Sequence, residues 1–293
     1  MRLFFIFLIT PIIALTQTSF KGIIINSKTK AGVSFATVGL IKENIGTNAD
    51  EAGRFTLTSG NRKKNDTLLI SCVCYKTLKI PADNLSSNIS IALNERESKL
   101  TEVVVTAKNN WTFATLNEFS NCGNNYVGSN GYQTQLAQHF QASTDNSYLT
   151  EIKICRMSLS VFDPEKTIFR IRIYDMDTIT KAPSSDLCDE VIEVKTKSKF
   201  INLNLEKYKI NIHNKDFFVA IEWLKIPYNE NKTKTKLKGK EFEYIHYTPS
   251  IGWTDTMNEK MEAWMLDYRN VWHPMFKMPH SKTSVSISAT IKY

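Results

Sequence analysis

The chain has 293 residues, 42% hydrophobic and 23% charged, which excludes an extended disordered chain or an all-helical coil and leaves room for two domains with cores of their own. Its net charge of +8 is spread along the sequence rather than gathered in a recognition motif, which argues against a nucleic-acid partner. Residues 3–15, LFFIFLITPIIAL, are the one long apolar run. They follow Met1-Arg2, include Pro11 and fall short of the roughly 20 residues of a membrane-spanning helix. A basic start, an apolar stretch and then small or polar residues read as a secretory signal over 1–16, with Ala14 and Thr16 at the small-residue positions and cleavage before Gln17. An uncleaved anchor is the alternative. No Cys follows the run, so a lipid anchor is not expected, and no transmembrane span remains after cleavage.

Short alternating strands begin at FKGIIIN and recur with turn signals every 8 to 12 residues, the pattern of an all-β sandwich over 17–94. In GRFTLT, Phe55 and Leu57 face one way. In DTLLISCVCY, Leu68, Ile70, Cys72 and Cys74 share a face, with Leu69, Val73 and Tyr75 on the other. A strand apolar on both faces belongs at the centre of the sandwich. NISIALN supplies the closing strand through Ile89, Ile91 and Leu93.

Gly22, the Ala36-Thr37-Val38 strand, Asn48 to Gly53 followed by Phe55, and the Tyr75 strand together resemble the carboxypeptidase regulatory-like domain. The resemblance implies a transthyretin-like seven-stranded sandwich of a kind common in Gram-negative envelope proteins, and it covers under a third of the chain. Cys74 departs from the pattern, since the family usually has Gly before the Tyr, at a backbone position that Gly adopts most easily. Leu100 to Ala107, LTEVVVTA, resembles the segment joining this domain to the plug of TonB-dependent receptors. The residues after it are too few, and too irregular in alternation, for the barrel of such a transporter.

Residues 95–125 read as a linker, with KNNWTFATLNEFSNCGNN as loop, and a second sandwich is expected over 126–293. In YLTEIKICRMSLSVFD, Ile152 and Ile154 take one face and Met157, Leu159 and Val161 the other, a switch that a β-bulge explains. TIFRIRIYDMD turns Phe169, Ile171 and Ile173 inward and Arg170, Arg172 and Tyr174 outward. DFFVAIEWL and the stripe Val285, Ile287, Ala289, Ile291 and Tyr293 continue the theme. Only GYQTQLAQHF and DTMNEKMEAWM have helical character. The fold class expected is therefore all-β, two β-sandwich domains in series, the second jelly-roll-like.

Lys232, Lys234, Lys236, Lys238 and Lys240 alternate, which in one strand puts five ammonium groups on one face. This reads as a solvated hairpin or protected edge, with an anionic-partner site as the alternative. Of the five cysteines, Cys72 and Cys74 are poorly placed to bridge each other. Cys155 and Cys188 are a pairing that an oxidising compartment permits, and Cys122 is left over in a polar loop. Buried free thiols are the default reading.

The five histidines lie in no zinc-peptidase spacing, and no nucleophile elbow, phosphate loop or Cys-His arrangement is present, so neither a catalytic site nor a metal site is assigned. Asp163, Asp175, Asp177, Asp186 and Asp189 sit in expected loops. A polar hairpin is the first reading of these and a structural calcium the second; no cofactor is expected. The segment 252–276 gathers Trp253, Trp264, Tyr268 and Trp272 with interleaved polar residues. These rings either cap the open end of a sandwich or form a platform for a glycan or peptide. The chain is thus expected to be a non-enzymatic binding or adhesion protein of the bacterial envelope: periplasmic, outer-membrane-associated or extracellular. A structural accessory subunit docking on an outer-membrane protein partner is the alternative.

Overall fold

The computed structural model describes residues 18–60, 63–83, 88–97, 110–123, 125–157, 166–237, 239–254, 262–275 and 284–293. The expected signal over 1–16, the LTEVVVTA segment, Leu159, Val161, Asp163 and Lys238 lie outside them. Within them the chain is all-β; its helices are two 3-10 turns, Glu206–Tyr208 and Pro227–Asn229.

Seven strands build the first sandwich: β1 (Thr18–Asn26), β2 (Thr37–Leu40), β3 (Ile45–Asn48), β4 (Arg54–Ser59), β5 (Thr67–Ser71), β6 (Leu78–Pro81) and β7 (Asn88–Leu93). One sheet runs β4-β1-β7, the other β3-β2-β5-β6. Phe20, Ile24, Phe55, Leu57 and Leu93 from the first sheet meet Val38, Leu40, Leu68 and Ile70 from the second in one core. As the apolar run implied, β5 lies inside its sheet and buries Leu68, Leu69 and Ile70 on both faces. It ends at Ser71, however, so Cys72 and Cys74 do not share a strand face. Cys74 takes φ +69°, the left-handed conformation that its position demands of whatever residue occupies it.

The second sandwich opens with β8 (Phe113–Leu116), β9 (Asn125–Ser129), β10 (Gln133–Gln141), β11 (Ser147–Met157), β12 (Thr167–Met176), β13 (Pro183–Asp186), β14 (Ile192–Thr196) and β15 (Phe200–Asn204). It continues with β16 (Asn211–Ile212), β17 (Asp216–Trp223), β18 (Glu230–Leu237), β19 (Lys240–Thr254), β20 (Ala263–Asp267), β21 (Trp272–Pro274), β22 (Ser284–Val285) and β23 (Ile287–Lys292). A seven-stranded sheet runs β13-β12-β17-β10-β20-β21, with β14 also on β12. A nine-stranded sheet runs β18-β19-β11-β23-β8, with β9, β15, β16 and β22 attached. Between them lie Phe169, Ile171 and Ile173, the Phe217 to Trp223 stripe, Ile152, Ile154 and the terminal Val285, Ile287, Ala289 and Ile291.

Several expectations need correcting. The segment expected to be loop carries β8, which pairs with β23, and Asn117 locks it by donating to the Val285 and Ile287 carbonyls at 3.0 and 2.7 Å. GYQTQLAQHF is strand β10: Gln138 points into the core, where its Oε1 accepts the Val285 N–H at 2.8 Å, and this hides the strand period. Of DTMNEKMEAWM, residues 263–265 begin strand β20, and the part up to Met261 lies outside the described residues. The bulge in β11 falls between Leu149 and Glu151.

The disulfide joins Cys122 to Cys155. Ile154 faces the core, so Cys155 faces the opposite side of its sheet, toward the Cys122 loop; Cys188 sits inside the core and stays free. The lysine run is indeed a hairpin, β18 with β19. Among the described residues Lys232, Lys234 and Lys236 share a face of β18, and Lys240 opens the returning strand.

Arg170, Arg172 and Tyr174 do point away from the second core, yet they are not exposed: Ser34 and Phe35 of the first sandwich cover Arg170, Asp186 and Glu222 hold Arg172, and Trp264 and Trp272 pack around Tyr174. The β3-β2-β5-β6 sheet packs on the outer face of the seven-stranded sheet. Tyr268, 3% exposed, lies on Gly39 and Gly46, which are partners across β2 and β3. A Cβ on Gly39 would come within 2.9 Å of the Tyr268 ring, and one on Gly46 would collide with it. The Tyr268 N–H donates to Asn44 Oδ1 at 3.1 Å and the Lys225 N–H to Asn48 Oδ1 at 2.7 Å. Phe35 inserts among Ile168, Leu224 and Ile226, with the Arg170 guanidinium 5.3 Å from its ring centre. Its φ of +56° costs a bulky residue about 1–3 kcal/mol, which this apolar seat offsets.

Two outcomes follow from this architecture. Gly46→Ala is expected to lower stability by about 1–3 kcal/mol through overpacking against Tyr268, measured by thermal or urea unfolding. The denatured, non-reduced chain is expected to show three reactive thiols to Ellman's reagent, Cys72, Cys74 and Cys188, where an unbridged chain would show five.

Candidate functional site

A polar crevice of about 350 Å³ opens between the two sandwiches. Its floor is the outer face of the seven-stranded sheet. In register across β12, β17 and β10 stand Arg170, Glu222 and Gln135, and next to them Arg172, Ala220 and Ala137. The alanines lie under the rings of Tyr174, Phe218 and Trp264, and the crevice opens beside them, over Gln135, Glu222 and Arg172. Ser71, Cys72 and Thr77 line it from the first sandwich, and the exposed Thr77, Ser184 and Asn270 stand at its rim.

The charged groups are tied to one another across the sandwich boundary. Asp186 accepts from Arg172 Nε at 3.0 Å and from Arg96 of the first sandwich at 2.9 Å. Arg96 also pairs with Asp189, whose carbonyl accepts the Cys74 thiol at 2.6 Å. Arg172 Nη1 lies 3.7 Å from Glu222 Oε2, and that oxygen accepts no hydrogen bond among the described residues although Glu222 is only 3% exposed. The Tyr174 hydroxyl donates to Gln135 Oε1 at 2.9 Å.

Burial pushes the Tyr174 phenol up, with Arg172 opposing, and burial likewise raises the Cys72 thiol against the pull of Arg170. Neither group is poised as an anionic nucleophile at neutral pH. Asp267 differs. Burial disfavours its charge, but hydrogen bonds from Arg269, the Val271 N–H and His273 outweigh this and hold its pKa below the ordinary 3.8.

Three of the four aromatic residues expected to form a site gather on this side of the molecule. Tyr268 and Trp272 line the crevice, and Trp272 stands edge-on to Tyr174 at 5.7 Å. Trp264, 9% exposed, backs them with its ring edge-on to Phe218. Trp253 lies on β19 and packs against the main core, outside the crevice lining. The rings do not form an exposed row; they are wedged between sheets. Arg96, Arg172, Glu222 and Gln135 are not singled out as site residues by the sequence, and Asp186 is singled out only within the acidic loop. The signal available was Glu222 inside the apolar run DFFVAIEWL, since a carboxylate there requires a partner on a buried face. Of the expected acidic loop, Asp186 serves the arginines and Asp177 caps its own turn by accepting from the Ile179 and Thr180 amides. Among the described residues no three His, Cys, Asp or Glu side chains converge in the manner of a metal site.

Residues 20–105 match the CarboxypepD_reg-like domain family. No curated protein sequence matches the chain. Among solved structures, the chain is similar to the cysteine protease and lectin-like domains of Cwp84, a surface layer associated protein of Clostridium difficile, at 8% identity and a TM-score of 0.33. The match covers 88% of this chain and 59% of that one, so the chain spans less than two thirds of that structure. It is also similar to a protein of unknown function from Bacteroides fragilis, at 10% identity and TM-score 0.22, over 94% of this chain and 96% of that one. BcpA, the major pilin subunit of Bacillus cereus, matches at 10% identity and TM-score 0.21, over 93% of this chain and 69% of that one. Likenesses this distant carry no argument about function.

The Asp267 cluster gives the pH prediction. A carboxyl whose folded pKa is depressed contributes stability above its unfolded value, and that contribution is lost as pH falls through the folded pKa. Asp267→Asn is therefore expected to lower the melting temperature at neutral pH and to leave it nearly unchanged in strong acid, as read by calorimetry across that range.

Proposed function

We propose that this chain, with its CarboxypepD_reg-like N-terminal sandwich, is an exported, non-enzymatic binding protein of the bacterial envelope. Its ligand, a glycan or a peptide, enters the crevice between the two sandwiches. The observation that carries this reading is the crevice itself: a polar, partly open space, with buried charged groups at its floor and Trp272 and Tyr268 in its walls. Such a combination of a few converging polar groups with aromatic surface is how small-ligand sites gain both affinity and selectivity. Export is supported by the basic and then apolar start of the chain. A binding rather than catalytic role is supported by the raised pKa values of the Cys72 thiol and the Tyr174 phenol, and by the Asp186 carboxylate already engaged with Arg96 and Arg172. In this reading the first sandwich is one wall of the site.

The chain from Gln17 onward is the material to test, on glycan and peptide arrays followed by titration of intrinsic Trp fluorescence. At least one ligand class is expected to bind saturably, with binding lost in Trp272→Ala and retained in Trp253→Ala. No saturable binding on either array, or binding indifferent to Trp272, would overturn the proposal.

A further inference from the structure

We infer that the crevice takes a neutral, polyhydroxylated ligand, a saccharide unit, with one hydroxyl held between Glu222 and Arg172. This rests on the reading of the crevice as a ligand site and narrows it from glycan or peptide to neutral sugar.

The first reason is the state of Glu222. Glu222 lines the crevice, and its buried Oε2 accepts no hydrogen bond among the described residues, while Arg172 Nη1 stands 3.7 Å away, beyond hydrogen-bond reach. Buried polar atoms are almost always satisfied, so an acceptor left over at the floor of an open crevice marks a place for a donor from outside the chain. A hydroxyl both donates and accepts. A hydroxyl that reaches this pair donates to the carboxylate and accepts from the guanidinium.

The second reason is charge. Arg172 faces both Asp186 and Glu222, Arg96 faces Asp186 and Asp189, and Asp267 holds Arg269 and His273. An ammonium group docked on Glu222 would sit against Arg172, and a carboxylate docked on Arg172 would sit against Glu222. Either sign of charge meets repulsion within one contact distance, and desolvating it adds a penalty. A neutral group meets neither.

The third reason is what surrounds that point. Gln135, Thr134, Ser71 and Thr77 offer uncharged hydrogen-bonding groups, and Trp272 offers apolar ring surface for C–H faces. A volume of about 350 Å³ is at the small end of ligand sites, the scale of one or two sugar rings rather than a folded partner.

The test is isothermal titration of the chain from Gln17 onward with four classes of probe. These are neutral hexasaccharides of glucan, mannan and xylan type, a chitosan hexamer bearing free amines, an oligogalacturonate, and short peptides of either charge. A neutral hexasaccharide is expected to bind saturably. Glu222→Gln, which keeps the shape but removes the charge assistance, is expected to weaken it about tenfold. Thr77→Trp, at the exposed rim, is expected to abolish binding with the melting temperature unchanged, and it keeps the test valid should Glu222→Gln fail to fold. Binding by chitosan, galacturonate or peptide in place of the neutral sugars, with Trp272 still required, would overturn this inference and leave the binding proposal standing. Neutral-sugar binding untouched by both variants would also overturn it. No binding by any probe overturns both.

Discussion

The seating of Tyr268 on the paired glycines Gly39 and Gly46 is the contact on which the rest of this structure depends. Two twisted sheets can approach closely only where side chains leave room, and here two adjacent strands both lack a Cβ under one ring. That approach brings Asn44 and Asn48 within hydrogen-bond distance of backbone amides in the second sandwich. It also brings Arg96 onto the Asp186 carboxylate that already holds Arg172. Remove the approach, and the outer face of the seven-stranded sheet becomes an ordinary wet surface bearing two arginines, a glutamate and a tyrosine.

Burying such groups is costly, and ion pairs of this kind stabilise a fold less than apolar residues of similar shape would. Their retention is easier to understand as specification. The arginine ties fix how one sandwich sits on the other, and the apolar seat of Phe35 supplies attraction that the polar contacts do not. The crevice is then what remains between two contacts, the seat of Tyr268 and the seat of Phe35, with Gln135, Glu222 and Arg172 at its floor. Neither sandwich alone contains it, because its floor belongs to one and its near wall to the other.

The sequence was most legible where one face of a strand met one core. Phe55 and Leu57, the Phe169-Ile171-Ile173 stripe and the Val285 to Ile291 stripe all lie where alternation put them. The seven-stranded first sandwich followed from a resemblance that the structure and the family match both bear out. Legibility failed where burial was two-sided or local. β10 lost its period because Gln138 is a core residue satisfied by a backbone amide, and β8 is too short and too exposed to leave an apolar signature. The Cys122–Cys155 bridge depended on which side of β11 a loop crosses, and cysteine spacing does not encode that. The aromatic segment places Tyr268 and Trp272 in the crevice lining, while Trp253 lies outside it. Arg172 and Glu222 are outward residues by strand parity, and parity does not report that another sheet lies over them.

Amide hydrogen exchange at Tyr268 and Lys225 is the most direct measurement of this docking, because each N–H has its acceptor in the other sandwich, on Asn44 and Asn48 respectively. If the sandwiches are held together as described, both amides exchange as slowly as those of the core strands around Ile221 and Leu68. Exchange of both at the rate of an unstructured peptide, while those core amides stay protected, would mean that the two sandwiches do not share a fixed interface and that the crevice between them does not persist.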